Sequence, residues 1–140
     1  MKPGEFIRFA EKLAVQPGAV PAVLRTAASR AYYGAFHLTR EFLIDLGFRP
    51  GANHNLHNWL TDSSHPAAKK LARCLSDLQT ERIRADYELD RTGPESPNSA
   101  RRAVEMARDF ETYLADCQSQ AAREQITKDV RACLAKQSRS

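Results

Sequence analysis

Cysteine is scarce and scattered. Cys74, Cys117 and Cys133 are the three in the chain, far apart and with no CxxC pair. That spacing excludes a disulfide framework and a thiolate zinc site, and a reducing compartment is the expectation. Long apolar runs are missing too. No window nears the length of a membrane span, and the opening MKPGEFIRFA has no apolar h-region, so a soluble cytoplasmic protein without membrane contact is expected. There is no useful strand-like alternation, no internal repeat, no glycine-rich phosphate loop and no recognisable serine triad. The six glycines and seven prolines fall mostly between periodic segments, which is where helix breakers belong.

What is present suits one helical domain. The 140 residues, 42% hydrophobic and 27% charged, are enough to bury a core and unlike a disordered chain. A net charge of +4 permits an anionic partner without demanding one. Helical periodicity covers residues 4–14, then runs from Pro21 to about Leu46, with proline in the first turn where its missing N–H costs nothing. Asn53 is a candidate N-cap for a short helix to Leu60. Pro66 opens another helix to about Asp90, and TGPESPNS, Thr92 to Ser99, is a loop. A last helix starts near Asn98 or Ser99. Continued to residue 136 it would be about 57 Å long, more than a domain of this size holds. A break, or packing on a partner subunit, is therefore expected. The expected architecture is an all-α antiparallel bundle of four to five helices over residues 1–120. Residues 121–140 are then a C-terminal amphipathic helical extension or a basic tail.

The segment ASRAYYGAFHLTREFL, Ala28 to Leu43, carries two kinds of face. Leu24, Ala28, Ala31, Ala35, Leu38 and Phe42 make a core seam, joined by Tyr32, Phe36 and Leu43. A stripe about 80° wide holds Arg30, Tyr33, His37 and Arg40 with no carboxylate. Such a stripe can grip phosphate through guanidinium forks and stack a base on the phenol, or it can be a solvated face of amphipathic side chains. In the later helix Arg82 falls inside the apolar stripe of Leu71, Cys74, Leu75, Leu78, Ala85 and Leu89. Asp86, one turn on, is placed to pair with it. His54 and His57 have i, i+3 spacing, but no third ligand is near them in sequence, so neither a metal nor a cofactor is expected.

Three separated motifs, SRAYYGAFHLTREFL, His54 in ANHNLH and RIRADY, resemble the HEPN family, most of all its small stand-alone members with YYxxFH and RxxADY segments. The resemblance spans roughly residues 5–120. It implies a bundle of four or five helices and a homodimer. Many members are RNA-cutting toxins or defence proteins, often encoded beside a minimal nucleotidyltransferase that acts as antitoxin. By that likeness the chain is the RNA- or nucleotide-binding, toxin-like half of such a pair. Its catalytic residues would be Arg82, Asp86 and His37, with Arg30, Tyr33, Arg40, His54 and Tyr87 around the ligand. Catalytic members carry Arg, four to six residues, then His. Here Tyr87 stands five residues after Arg82, and Leu89, Asp90 and Arg91 stand at the corresponding places after Arg84. The motif of a metal-independent endoribonuclease is thus incomplete unless His37 or His54 supplies the imidazole. The other expectation is a non-catalytic dimeric helical adaptor that docks a partner protein.

Overall fold

Proline sets the first turn of three helices. Pro21, Pro66 and Pro97 each stand at the N-terminal edge of a helix, where the fixed φ is already helical. In the computed structural model, residues 1–51 and 55–138 are described. They form α1 (Gly4–Ala14), α2 (Pro21–Asp45), α3 (Pro66–Tyr87), α4 (Pro97–Asp116) and α5 (Gln120–Ser138). Single 3-10 turns lie at Leu56–Trp59 and Gly93–Glu95. Side-chain caps start three of the helices. His65 Nδ1 accepts from the Ala67 N–H at 3.2 Å, Ser96 Oγ from Ser99 at 3.0 Å, and Ser119 Oγ from Ala122 at 3.1 Å, each satisfying an N–H the helix cannot pair itself.

The fold is an all-α bundle built around α2, which packs on α1, α3 and α4, while α3 and α4 pack on each other. The expected seam of α2 is inside. Leu24, Ala28, Ala31, Ala35 and Phe42 are buried with Tyr32, Phe36 and Leu43, and Leu38 is partly covered. α1 crosses α2 at Gly34, where an added Cβ would lie 2.5 Å from Ile7 Cγ1. Only a residue without a side chain lets the two helices come this close.

Two boundaries differ most from the sequence expectation, and the last long helix has the break expected of it. The short helix expected from Asn53 is one 3-10 turn, Leu56–Trp59; Asn53 and His54 lie outside the described residues. α3 stops at Tyr87 instead of near Asp90, and the side chain of Arg25 donates to carbonyls at and after that end. The last long helix breaks after Asp116 and restarts at Gln120 under the Ser119 cap. The break has a hydrophobic reason. A straight continuation would carry Ile126 and Val130 beyond the bundle, whereas both are fully buried, at about 1.5–3 kcal/mol per side chain. Asp129 Oδ2 fastens α5 further, accepting from Ser63 Oγ, Ser64 Oγ and the Ser64 N–H at 2.8–2.9 Å.

Candidate functional site

Residues 25, 29 and 33 are one turn apart on α2, and each grips a different part of the RIRADY end of α3. Arg25 is buried, 7% exposed. Its guanidinium donates to the backbone carbonyls of Ala85 at 2.9 Å, Arg84 at 3.2 Å and Glu88 at 3.4 Å, to that of Arg91, and to Glu95 Oε1 at 3.2 Å. A helix C-terminus leaves its last carbonyls unpaired and carries partial negative charge, and Arg25 answers both. One turn later Ser29 Oγ donates to Asp86 Oδ2 at 3.1 Å. One turn later again, Tyr33 OH accepts from Arg82 Nη2 at 2.9 Å.

Around Tyr33 the charges close into a cluster. Arg82 Nε lies 3.0 Å from Asp86 Oδ2, an ion pair whose N–H is not aligned for a hydrogen bond. Arg82 Nη2 also donates to Tyr87 OH at 3.3 Å. The Arg82 guanidinium carbon sits 5.8, 5.4 and 5.2 Å from the rings of Tyr32, Tyr33 and Tyr87, inside cation–π range of all three. Burial works against the Arg82 charge, but the phenol oxygens of Tyr33 and Tyr87 and the Asp86 carboxylate outweigh it and hold the pKa above its ordinary value. Burial pushes the Tyr32 phenol up to about 12, so it stays protonated at neutral pH.

Arg30 approaches the same phenol from another direction. Its guanidinium carbon is 4.7 Å from the Tyr33 centroid and 5.6 Å from that of Phe6 on α1, and Nη2 donates to Ser29 Oγ at 3.3 Å. A continuous link runs Arg30–Ser29–Asp86–Arg82–Tyr33. It contains two cations and one carboxylate. His37 joins it by ring contact, stacked 5.8 Å from Phe6 and 6.4 Å from Tyr33.

Of the expected site residues, Arg30, Tyr33, His37, Arg82, Asp86 and Tyr87 therefore meet at the α2–α3 face. Arg40 does not join them. It is ten residues beyond Arg30 on α2, about 15 Å along the axis, and lines a hollow with Ile44, Phe48 and Arg49. His54 lies outside the described residues. Arg25 and Ser29 escaped the sequence reading. The signal was a cation at an apolar position, since Arg25 shares a helical face with Ala28, Ser29 and Tyr32.

The cluster can present positive charge to an anion, and Tyr87, 67% exposed, offers a ring on which a base stacks. Among the described residues it contains no second imidazole and no carboxylate besides Asp86. Among the described residues no group of His, Cys, Asp and Glu is arranged to hold a metal ion, and no helix is long and apolar enough to cross a membrane.

No curated protein and no solved structure matches the chain. A family model, the HEPN domain, matches residues 22–117, from the first turn of α2 to the residue after α4. That span is well over half the chain and contains every α2 and α3 residue of the cluster, so the protein belongs to the HEPN family.

Proposed function

We propose that this HEPN protein binds RNA at the α2–α3 face, with the phosphate backbone held by Arg30 and Arg82 and a base stacked on Tyr87. The observation that carries the reading is the pair of guanidinium groups against one phenol, 4.7 and 5.4 Å from the Tyr33 ring, with a single carboxylate between them. Binding is favoured over cutting. Arg82 lacks a histidine partner on α3, Tyr32 is held protonated by burial, and Asp86 is already engaged by Ser29 and Arg82. His37 is the acid–base candidate beside the cluster, stacked on Tyr33, which accepts from Arg82. The toxin-like role beside a minimal nucleotidyltransferase rests on the family resemblance.

A homodimer belongs to the same proposal. Ile83 and Leu89 are exposed apolar residues at and just past the end of α3. The ion pairs Glu81–Arg84 and Glu88–Arg91 border them. Alternating charge around an apolar patch is self-complementary across a two-fold axis, which also supports the adaptor reading if RNA binding fails.

Fluorescence anisotropy with single-stranded RNA tests the proposal. Arg30→Gln and Arg82→Gln should each weaken binding about tenfold and lower the salt slope by about one. Cleavage products should be absent, or vanish with His37→Ala. Wild-type protein that neither binds nor cuts RNA, with variants that behave identically, would sink the reading.

A further inference from the structure

Most helix junctions in the bundle carry their own breakers. Pro17 and Gly18 part α1 from α2, Gly47 and Pro50 follow α2, and Gly93 and Pro94 precede α4. Gly18 and Gly47 take φ of 64° and 99°, which a continuing helix cannot use. The junction between α4 and α5 has nothing of the kind. Cys117, Gln118 and Ser119 include neither proline nor glycine, and Cys117 stays in the right-handed region, φ −87° and ψ −3°. Residue type therefore does not end α4.

Most of what bends the chain lies at a distance. Ala122, Ile126 and Val130 are buried on the inner side of α5. Asp129 accepts from Ser63 and Ser64, and Gln125 Nε2 donates to Ser64 Oγ at 2.9 Å. Arg123 donates to the Asp45 carbonyl at 3.4 Å, with its guanidinium carbon 5.8 Å from the Phe42 ring. These polar partners belong to α2 and to the segment before α3, none to α4. Only two contacts are local to the bend, Gln118 Oε1 accepting from Arg123 at 2.8 Å and the Ser119 cap. A second copy of the chain offers the same seat. If α4 and α5 straighten into one helix of about 63 Å, the distant contacts can all re-form on the other copy with identical chemistry. The carbonyls at the end of α4 and the N–H groups at the start of α5 then pair with each other. No charge lies between Asp116 and Arg123, so two such hinges meet at a two-fold axis without like-charge repulsion. The link of Cys117 to Ser119 is at the short end for packed helices, and a short hinge favours exchange over folding back.

We infer that two copies of the chain exchange α5, each straightening through Cys117, Gln118 and Ser119 and seating its α5 on the other copy beside Phe42, Asp45, Ser63 and Ser64. α5 lies outside the matched family segment. The exchange depends neither on RNA binding at the α2–α3 face nor on a contact through Ile83 and Leu89.

Cross-linking of the full chain tests the inference. Ser64→Cys and Gln125→Cys put two thiols on facing sides of the seat, and Cys133→Ser removes the partly exposed native thiol. After refolding, a short bis-maleimide should join two chains, and the share of covalent dimer should rise with the protein concentration during refolding. A homodimer of unexchanged copies keeps that bridge within one chain, so the readout separates the two assemblies. Gln120→Pro puts proline on the first residue of α5, where Pro21, Pro66 and Pro97 begin their helices. That position suits the bend and breaks the straight helix. The substitution should cut the covalent dimer at least about tenfold, with the helical circular dichroism unchanged. Bridges that stay within one chain at every concentration overturn the inference, and so does a covalent dimer that Gln120→Pro leaves unchanged.

Discussion

Two arginines cross the same α2–α3 junction and are used in opposite ways. Arg25 comes from α2 and spends its donors on backbone carbonyls at the end of α3 and on Glu95. Arg82 comes from α3 and turns to side chains of α2, the rings of Tyr32 and Tyr33, and to its own neighbours Asp86 and Tyr87. Carbonyls at a helix terminus cannot rearrange without unwinding the helix, so Arg25 is a structural clamp. Ring faces and phenol hydroxyls can trade one cationic contact for another, so Arg82 is the arginine that the proposed RNA binding would turn to a phosphate. Both side chains are nearly enclosed, 9% and 12% exposed. Burial therefore does not separate the roles; the chemistry of the partners does.

Breaking the clamp should have the largest effect. Arg25→Ala strands Glu95 and several carbonyls together, and urea unfolding should show a loss of about 3–5 kcal/mol. Arg25→Lys keeps the charge without the fork and should recover only part of it. A loss under 1 kcal/mol for the alanine variant would erase the distinction drawn here. Tyr33→Phe sharpens the other side. It keeps the ring under Arg30 and Arg82 and removes only the hydroxyl that accepts from Arg82, so unfolding should show a loss of about 1–1.5 kcal/mol. An effect as large as that of Arg25→Ala would make both arginines structural.

The smallest effect lies on α5. At Asp129, burial raises the pKa, but hydrogen bonds from Ser63, Ser64 and Gln125 outweigh it and hold the carboxyl below its ordinary value. A depressed folded pKa contributes stability above the unfolded value near 4, and that contribution is lost as pH falls through the folded value. Acid below about pH 4 should therefore loosen α5, read as faster amide exchange over residues 120–138. Asp129→Asn should remove that pH dependence while leaving the α2–α3 end unaffected.

Much of the bundle is legible along the chain because helix periodicity and proline are local signals. The seam Leu24, Ala28, Ala31, Ala35, Phe42 follows from spacing alone, and so do the starts at Pro21 and Pro66. The Arg82–Asp86 pair is also local, one turn apart on one helix. Arg25 was illegible as a clamp. Its partners are some sixty to seventy residues away, and most are carbonyls, which every residue has and no side-chain pattern marks. Arg40 illustrates the reverse error. It shares an angular stripe with Arg30, but angle says nothing about distance along the axis, and Arg40 stands about 15 Å further along α2.

By itself the sequence determined an all-α chain, the inward face of α2, the carboxylate-free stripe of Arg30, Tyr33, His37 and Arg40, and the lack of a histidine after Arg82. These follow from residue type and a period of about 3.6. Tertiary structure alone decided that Tyr33 accepts from Arg82, that Arg25 binds carbonyls at the end of α3, and that α5 turns back to bury Ile126 and Val130. Each depends on which surfaces meet once the core closes. That outcome is set by hydrophobic burial summed over the whole bundle, which no single stretch of the chain contains.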